Sequence, residues 1–409
     1  MHLIARALHR RGHAVTLVAL PGFEKAAEDG FEVVMAPQDL APELAAPEGV
    51  KGWFTKTWIG RGFSSWRASV PLVLRRTRWV HSFLQQQHPG GRTVVLARSG
   101  LFGARIARDG MDLRLITVHH TPAPLRSRHE SFVLPVPEGQ NGALRFVRGL
   151  LWRCMDGYVG TLLLPSLNTF RRELKLPPIG RLFDRWAFSP DMNLALFPAW
   201  YARPQPDWPS HTQLAGFPLP DEQPSDALPN EVQDFLGCGG PVIVFTRGSH
   251  SASGAEFFRM ARDVCRQQGW RGLILGMAPQ SVPLSRDAAV LQVRFAPLAA
   301  VLRRASVLVH HGGIGTCALA FQAGVPQILI PGLGDQWDQA KRVARLGCGI
   351  YLSMRSLNHA RLASALTSLM HNDVTRARCA RVAEGMRADG ISRACSLVEL
   401  AGGAKVNAA

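Results

Sequence analysis

The chain has 409 residues, long enough for two domains, and its 46% hydrophobic and 19% charged content is that of an ordinary α/β protein rather than a disordered or fibrous one. Basic residues number 47 against 30 acidic ones, a net charge of +17, and only six of the basic residues are lysine, so arginine carries the excess. That balance fits a solvated arginine-rich surface or acidic partners such as phosphorylated ligands and anionic headgroups. No nucleic-acid motif or aromatic–basic stripe accompanies it, so nucleic acid is not an expected partner.

Taken in order, Leu3 to Arg11 reads as a helix stopped at Gly12, and Ala14 to Ala19 as a strand. Phe31 to Met35 is a second short strand. Residues 37–66 form a Pro/Gly-rich loop carrying Trp53, Trp58 and Trp66; Trp53 and Trp58 are candidates to line an apolar acceptor pocket, with ordinary packing as the alternative. Val70 to Gln86 is a helix, Thr93 to Ala97 a strand, and Leu101 to Arg108 a helix. Leu113 to Val118 is a strand running into His119-His120-Thr121-Pro122. Ligands of open α/β sheets gather at the carboxyl ends of strands, so His119 and His120 are candidate acceptor contacts, with a structural role as the alternative. Asn141 to Leu164 is a rather apolar helix and Leu194 to Phe197 a strand. Pro218 to Pro229, polar and Pro-rich, reads as a linker.

Glu231 to Leu236 opens a second domain, followed by strand Val242 to Phe245 and the loop Thr246-Arg247-Gly248-Ser249, in which Arg247 and Ser249 suit phosphate chemistry. Helix Phe257 to Gln267 and strands Gly272 to Leu275 and Val290 to Val293 come next; the last leads to Arg294-Phe295-Ala296-Pro297-Leu298. Ser356 to Leu369 and Thr375 to Leu400 are helical. The seven cysteines form no Cys-x-x-Cys or Cys/His metal spacing, which points to free thiols in a reducing compartment. No apolar run reaches the roughly 18 residues of a membrane span, and Met1 to Leu20 lacks a small-x-small cleavage site. The expected location is the cytoplasm, with a peripheral contact at the inner membrane face.

The segment Val307 to Gln336, VLVHHGGIGTCALAFQAGVPQILIPGLGDQ, organises the whole. It reads as strand, Gly-rich turn, helix and strand. Gly312, Gly313 and Gly315 let the backbone tighten and let a ligand approach the N–H groups. The first helical turn offers unpaired donors and a partial positive charge, which makes it an anion site suited to phosphate. The dipole supplies roughly 0.3–1 kcal/mol. Charge-assisted hydrogen bonds from the amides and from His311 supply roughly 1.5–3 kcal/mol each, so the direct donors dominate.

HHGGIGT, GVP and PGLGDQ, followed by Ala340-Lys341-Arg342 and Leu346-Gly347-Cys348-Gly349, resemble the donor-binding signature of the UDP-glycosyltransferase-like family. Phe183-Asp184-Arg185-Trp186, PAW at 198–200, PQPDWP at 204–209 and Gly216-Phe217-Pro218-Leu219 are similar to rhamnosyltransferases of rhamnolipid synthesis. The resemblance implies an α/β GT-B fold, two Rossmann-like domains with a cleft between them. It implies an acceptor-binding domain at 1–215, a linker at 216–230, a nucleotide-sugar-binding domain at 231–385 and a C-terminal helix at 386–409 returning to the first domain. The donor contacts it implies are Arg247, Gly248, Ser249, Phe295, His311, Gly312, Gly313, Gly315, Thr316, Asp335 and Gln336, with Phe295 stacking on the base and Asp335-Gln336 meeting the sugar hydroxyls. Leu298 replaces a polar residue common in the family, which leaves both UDP- and dTDP-sugars open as donors.

The activity so implied is inverting transfer of a hexose to a hydroxyl of a lipid or small hydrophobic natural product. The nucleotide-sugar is a substrate, so no cofactor is expected; no Asp-x-Asp pair is present, so no metal is expected either. In the family a first strand and Gly-rich loop carrying the general base precede the opening helix. The expectation is therefore that the base lies upstream of Met1. A non-catalytic nucleotide-sugar-binding homologue and a nucleotide-sugar epimerase are the alternatives.

Overall fold

The computed structural model describes residues 1–21, 29–40, 58–87, 93–134, 136–139, 141–220, 227–247, 254–276, 289–332, 334–386 and 389–403, without the side chains of 58–66, 185 and 254–255. The chain divides into two compact units, Met1–Pro218 with Gly390–Ala409, and Leu219–Asp389.

In the first unit, β3 (Val94–Arg98), β4 (Arg114–His119), β5 (Met192–Ala195) and β6 (Thr212–Leu214) form a parallel sheet in that order. A separate parallel pair, β1 (Thr16–Ala19) with β2 (Glu32–Met35), follows α1 (His2–Arg10). Strand residues alternate between the two faces of the sheet. Val94, Leu96, Ile116, Val118 and Leu194 pack on Ile4 and Leu8 of α1 and on Ala394, Cys395 and Val398 of α12 (Gly390–Ala401). Ala97 and Leu115 pack on Ala104 and Ala107 of α3 (Phe102–Gly110). Arg11 donates to Glu399 at 2.9 Å and to the Ser392 hydroxyl at 2.8 Å, tying α1 to α12 at the surface. Such exposed pairs are worth about 0–1 kcal/mol, so the buried apolar contacts fix α12 in this unit.

Two long helices complete the unit. The helix α2 spans Trp58–Gln87 and α4 spans Gly142–Glu173. Both pass through a proline, Pro71 and Pro165. The expected loop 37–66 therefore gives way to helix from Trp58 onward, and the apolar helix expected to end at Leu164 runs on to Glu173. Proline removes one N–H and crowds the preceding turn, but flanking packing carries the helix through it. Leu163, Leu167 and Phe170 of α4 lie fully or largely buried against Phe102 and Ile106 of α3 and Trp186. Asn141 caps α4, its side chain accepting from the Leu144 N–H at 2.8 Å.

In the second unit six parallel strands run in the order β12-β11-β10-β7-β8-β9. They are β7 (Val242–Thr246), β8 (Arg271–Leu275), β9 (Val290–Val293), β10 (Val307–His310), β11 (Gln327–Leu329) and β12 (Gly349–Tyr351). One face, with Ile243, Phe245, Val307 and Val309, packs on α6 (Gly254–Gln268) and α10 (His359–Met370). The other, with Val244, Leu273 and Leu308, packs on α5 (Asn230–Gly237), α7 (Leu298–Leu302) and α8 (Ile314–Gln322). The chain lays down β7, β8 and β9 outward on one side. It then returns to place β10 on the other side of β7. The sheet direction of travel thus reverses between β7 and β10, which is where such folds open a ligand crevice at the carboxyl edge. Two further helices, α9 (Gln336–Leu346) and α11 (Asp373–Gly385), flank this unit.

Candidate functional site

The strand β10 is buried along its whole length and ends at His310. The imidazole of His310 is fully buried, and burial, with His311 next to it, pushes its pKa down to about 3, so it is neutral. The Gly312 N–H donates to His310 Nδ1 at 3.2 Å, which leaves Nε2 protonated to donate to Gln327 Oε1 at 3.1 Å. One neutral histidine thus ties the turn after β10 to the neighbouring strand β11.

Gly312 sits at φ +90°, a conformation that L side chains rarely adopt, and a Cβ there would meet the Gln336 carbonyl oxygen at 3.2 Å. The turn and the start of α9 therefore approach as backbone against backbone. Gly313 is the N-cap of α8 in extended conformation, and no side chain caps the helix. A Cβ at Gly313 would lie 2.6 Å from His311 Nε2, so the His311 ring lies over this glycine. Gly315 is exposed, with nothing near its would-be Cβ. The first turn of α8, Ile314-Gly315-Thr316, thus begins uncapped and faces open space, with His311 beside it. Helix starts of this kind bind anions through their free amides and their positive end.

Asp335 and Gln336 begin α9, next to this turn. Gln336 Oε1 accepts from the Gly332 N–H at 2.8 Å, and Gln339 Nε2 donates to Asp335 at 3.1 Å. Burial pushes the Cys317 thiol far up, and the nearby Asp335 carboxylate pushes it further, which places that carboxylate close to the first turn of α8. A buried ion pair in α9, Arg342 to Asp338 at 2.8 Å, holds this helix from within.

Arg247 follows β7, the strand paired with β10. It is half-buried, over the Phe257 ring at 5.4 Å and within 3.4 Å of Met354 Sδ, and burial pushes its pKa down. Gly248 and Ser249 lie outside the described residues. Phe295 follows β9 and is 75% exposed, an unusual state for so large an apolar ring. It stands three strands from His311 along the same carboxyl edge, roughly 14 Å at sheet spacing. Within this unit the structure therefore gathers Arg247, His311, Gly312, Gly313, Gly315, Thr316, Asp335 and Gln336 around the β7–β10 reversal and sets Phe295 at the far end of the same edge.

The candidate acceptor contacts fare differently. His119 is fully buried, its Nε2 3.3 Å from Asn193 Oδ1 and its ring 5.5 Å from that of Phe188, with burial pushing its pKa down to about 4. It is a core histidine of β4 rather than a ligand contact. His120, one residue on, is half-buried, and burial pushes its pKa down to about 3. Trp53 lies outside the described residues; Trp58 begins α2, and its side chain is not described. His310 and Gln327 are the pair that reading the sequence missed. Their signal is a polar residue at each of two fully buried strand positions, 0% exposed in both cases.

Comparison with known proteins bears on the fold. Residues 279–396 match the family model of the erythromycin biosynthesis protein CIII-like C-terminal domain. The glycotransferase of kitacinnamycin superposes with a TM-score of 0.73 at 19% identity, over 98% of this chain and 94% of that one. The glycosyltransferase VinC in complex with DTDP gives a TM-score of 0.67 at 18% identity, over 98% and 95%. The chain has the GT-B fold. Vancomycin aglycone glucosyltransferase of Amycolatopsis orientalis is 35% identical over 245 residues, 57% of this chain and 55% of that enzyme. The chain spans little more than half the length of this and similar curated relatives. Among the described residues, no helix of this GT-B chain is long and apolar enough to cross a membrane.

Proposed function

We propose that this protein is a glycosyltransferase that moves a hexose from a dTDP- or UDP-sugar to a hydroxyl of a lipid or small hydrophobic natural product. The observation that carries the reading is the uncapped start of α8, beside His311 and at the strand reversal of the second unit. Departure of a nucleoside diphosphate places growing negative charge on its outer phosphate. Preorganised amides and a positive helix end stabilise that charge as it develops. His311 adds a donor over Gly313, and Asp335 with Gln336, next to the same turn, is proposed to meet the sugar hydroxyls. Phe295 offers an exposed ring for the pyrimidine base. Because this chain's own donors supply the stabilisation, transfer is proposed to run without a metal, by attack of the acceptor oxygen on the face opposite the leaving phosphate, with inversion.

The names of similar proteins support both halves of the reading: one neighbour was solved with DTDP, and one relative is named for transfer to a natural-product aglycone. The test is transfer from dTDP- and UDP-sugars to a panel of hydroxylated lipids and polyketides, with and without a chelator, for the parent chain and His311→Ala. The reading expects chelator-insensitive transfer with an inverted anomeric centre, and loss of about tenfold or more in the variant. Equal turnover by His311→Ala, or release of free epimerised nucleotide-sugar with no acceptor present, would reject it.

A further inference from the structure

The helix α4 carries a feature that the donor site does not use. Its opening half exposes Phe146, Val147 and Leu150, at 72%, 41% and 49%. These positions, spaced i, i+1 and i+4, share one helical face. Large apolar side chains in a contiguous exposed cluster mark an interaction surface.

The charge on the opening turns of the helix itself is of one sign. From Gly142 to Met155 the helix has no Asp or Glu and three arginines, Arg145, Arg148 and Arg153. Arg145 and Arg153 are exposed and form no ion pair or side-chain hydrogen bond among the described residues. Arg148 is buried; its guanidinium donates to the carbonyls of Arg128, His129, Pro137 and Gly139, with no carboxylate among these partners. Beside this face lies a cavity of about 1630 Å³ whose walls include Arg145, Arg153, Phe146 and Leu150; its aspartates Asp156 and Asp207 pair with Arg126 and Arg128, so among the described residues Arg145 and Arg153 carry the unpaired positive charge. The cavity is also lined by Leu125, Arg126, Arg128 and His129, which follow β4, and by the segments that lead into β5 and β6. The exposed apolar cluster belongs to α4 itself.

We infer that the Phe146–Leu150 face of α4, with Arg145 and Arg153 beside it, docks the protein on an anionic lipid bilayer. Apolar side chains on one face with arginines at the flank are what an interfacial helix presents to headgroups and acyl chains. Each basic residue near an anionic surface contributes to the attraction, which salt weakens. A second copy of this chain is disfavoured as the occupant. A two-fold contact would set each arginine cluster against its own copy, in a protein of net charge +17. The inference does not rest on the transfer reaction, since vesicle binding is read without substrates.

The experiment is co-sedimentation of the full chain with vesicles of phosphatidylcholine alone and of an equimolar mixture with phosphatidylglycerol, at low and high salt. Binding is expected on the mixed vesicles at low salt, with release at high salt and little binding to phosphatidylcholine. Arg145→Ala and Arg153→Ala, both exposed and so harmless to folding, should each weaken partition about fivefold, and about thirtyfold together. Phe146→Ser and Leu150→Ser should weaken binding while leaving the thermal melt unchanged. The inference is overturned if the parent chain ignores the mixed vesicles, or if the double arginine variant binds them equally. It is also overturned if the parent forms a concentration-dependent dimer that Phe146→Ser dissolves while vesicle binding is absent.

Discussion

Replacing Gly313 by alanine separates ligand binding from folding at the centre of the proposed site. The new methyl would stand 2.6 Å from His311 Nε2 and 3.1 Å from its Cε1, so the imidazole must swing aside. That movement is cheap for the fold, because the obstacle is the end of a rotatable side chain. The backbone at Gly313, φ −66° and ψ 136°, is one that alanine adopts freely. The stability change should stay within about 1 kcal/mol, the cost of alanine rather than glycine at an N-cap. The ligand loses more. One charge-assisted hydrogen bond is worth roughly 1.5–3 kcal/mol, and tenfold in affinity is about 1.4 kcal/mol. Gly313→Ala should therefore weaken dTDP or UDP binding by roughly 10- to 100-fold in titration calorimetry, with a melting temperature within a few degrees of the parent. Parental affinity in a folded variant would show that His311 is not a phosphate donor and refute the reasoning. Gly312→Ala is the companion: its positive φ and the Gln336 carbonyl predict a loss of stability as well.

Two further outcomes follow from the same geometry. Phe295→Ala removes an exposed ring, so the melt should not move, while nucleotide affinity should fall by roughly 1–3 kcal/mol of base stacking, measured by the same titration. Acid should destabilise the fold: burial pushes the pKa values of His119 to about 4 and of His120 and His310 to about 3, against 6.5 unfolded. The unfolded chain then takes up the protons first. The stability from these neutral imidazoles is complete above pH 6.5 and is lost as pH falls from there toward 4 for His119 and toward 3 for His120 and His310, at about 1.4 kcal/mol per pH unit for each group. Denaturant midpoints measured at pH 7.5 and pH 5 check the sign, and an unchanged midpoint would contradict it.

The sequence was most legible where local rules agree. The run from Val307 to Leu329 alternates buried strand, glycine turn and small-residue helix, and each choice points to the same structure, so β10, α8 and β11 were readable within a few residues. Prolines misled. Pro71 lies within α2, which begins well before it, and Pro165 did not end α4, because flanking turns bury Leu163 and Leu167 and outweigh one lost backbone bond. The strand read at Leu194 to Phe197 lies two residues earlier, at Met192–Ala195, because Leu196 and Phe197 are equally buried just beyond it and hydropathy cannot tell strand from buried loop. At the site, glycine spacing revealed the turn. It did not reveal that His310 is its internal staple, since that depends on Gln327 reaching across from the next strand. Nor could the pair His119-His120 show which ring faces inward; the strand's alternation and Asn193 decide that.

The most direct test is a crystal structure with dTDP or UDP bound. The account predicts diphosphate oxygens within hydrogen-bond distance of the amides at the start of α8, His311 beside them, and the base against Phe295. A nucleotide bound elsewhere, with those amides facing only solvent, would contradict it.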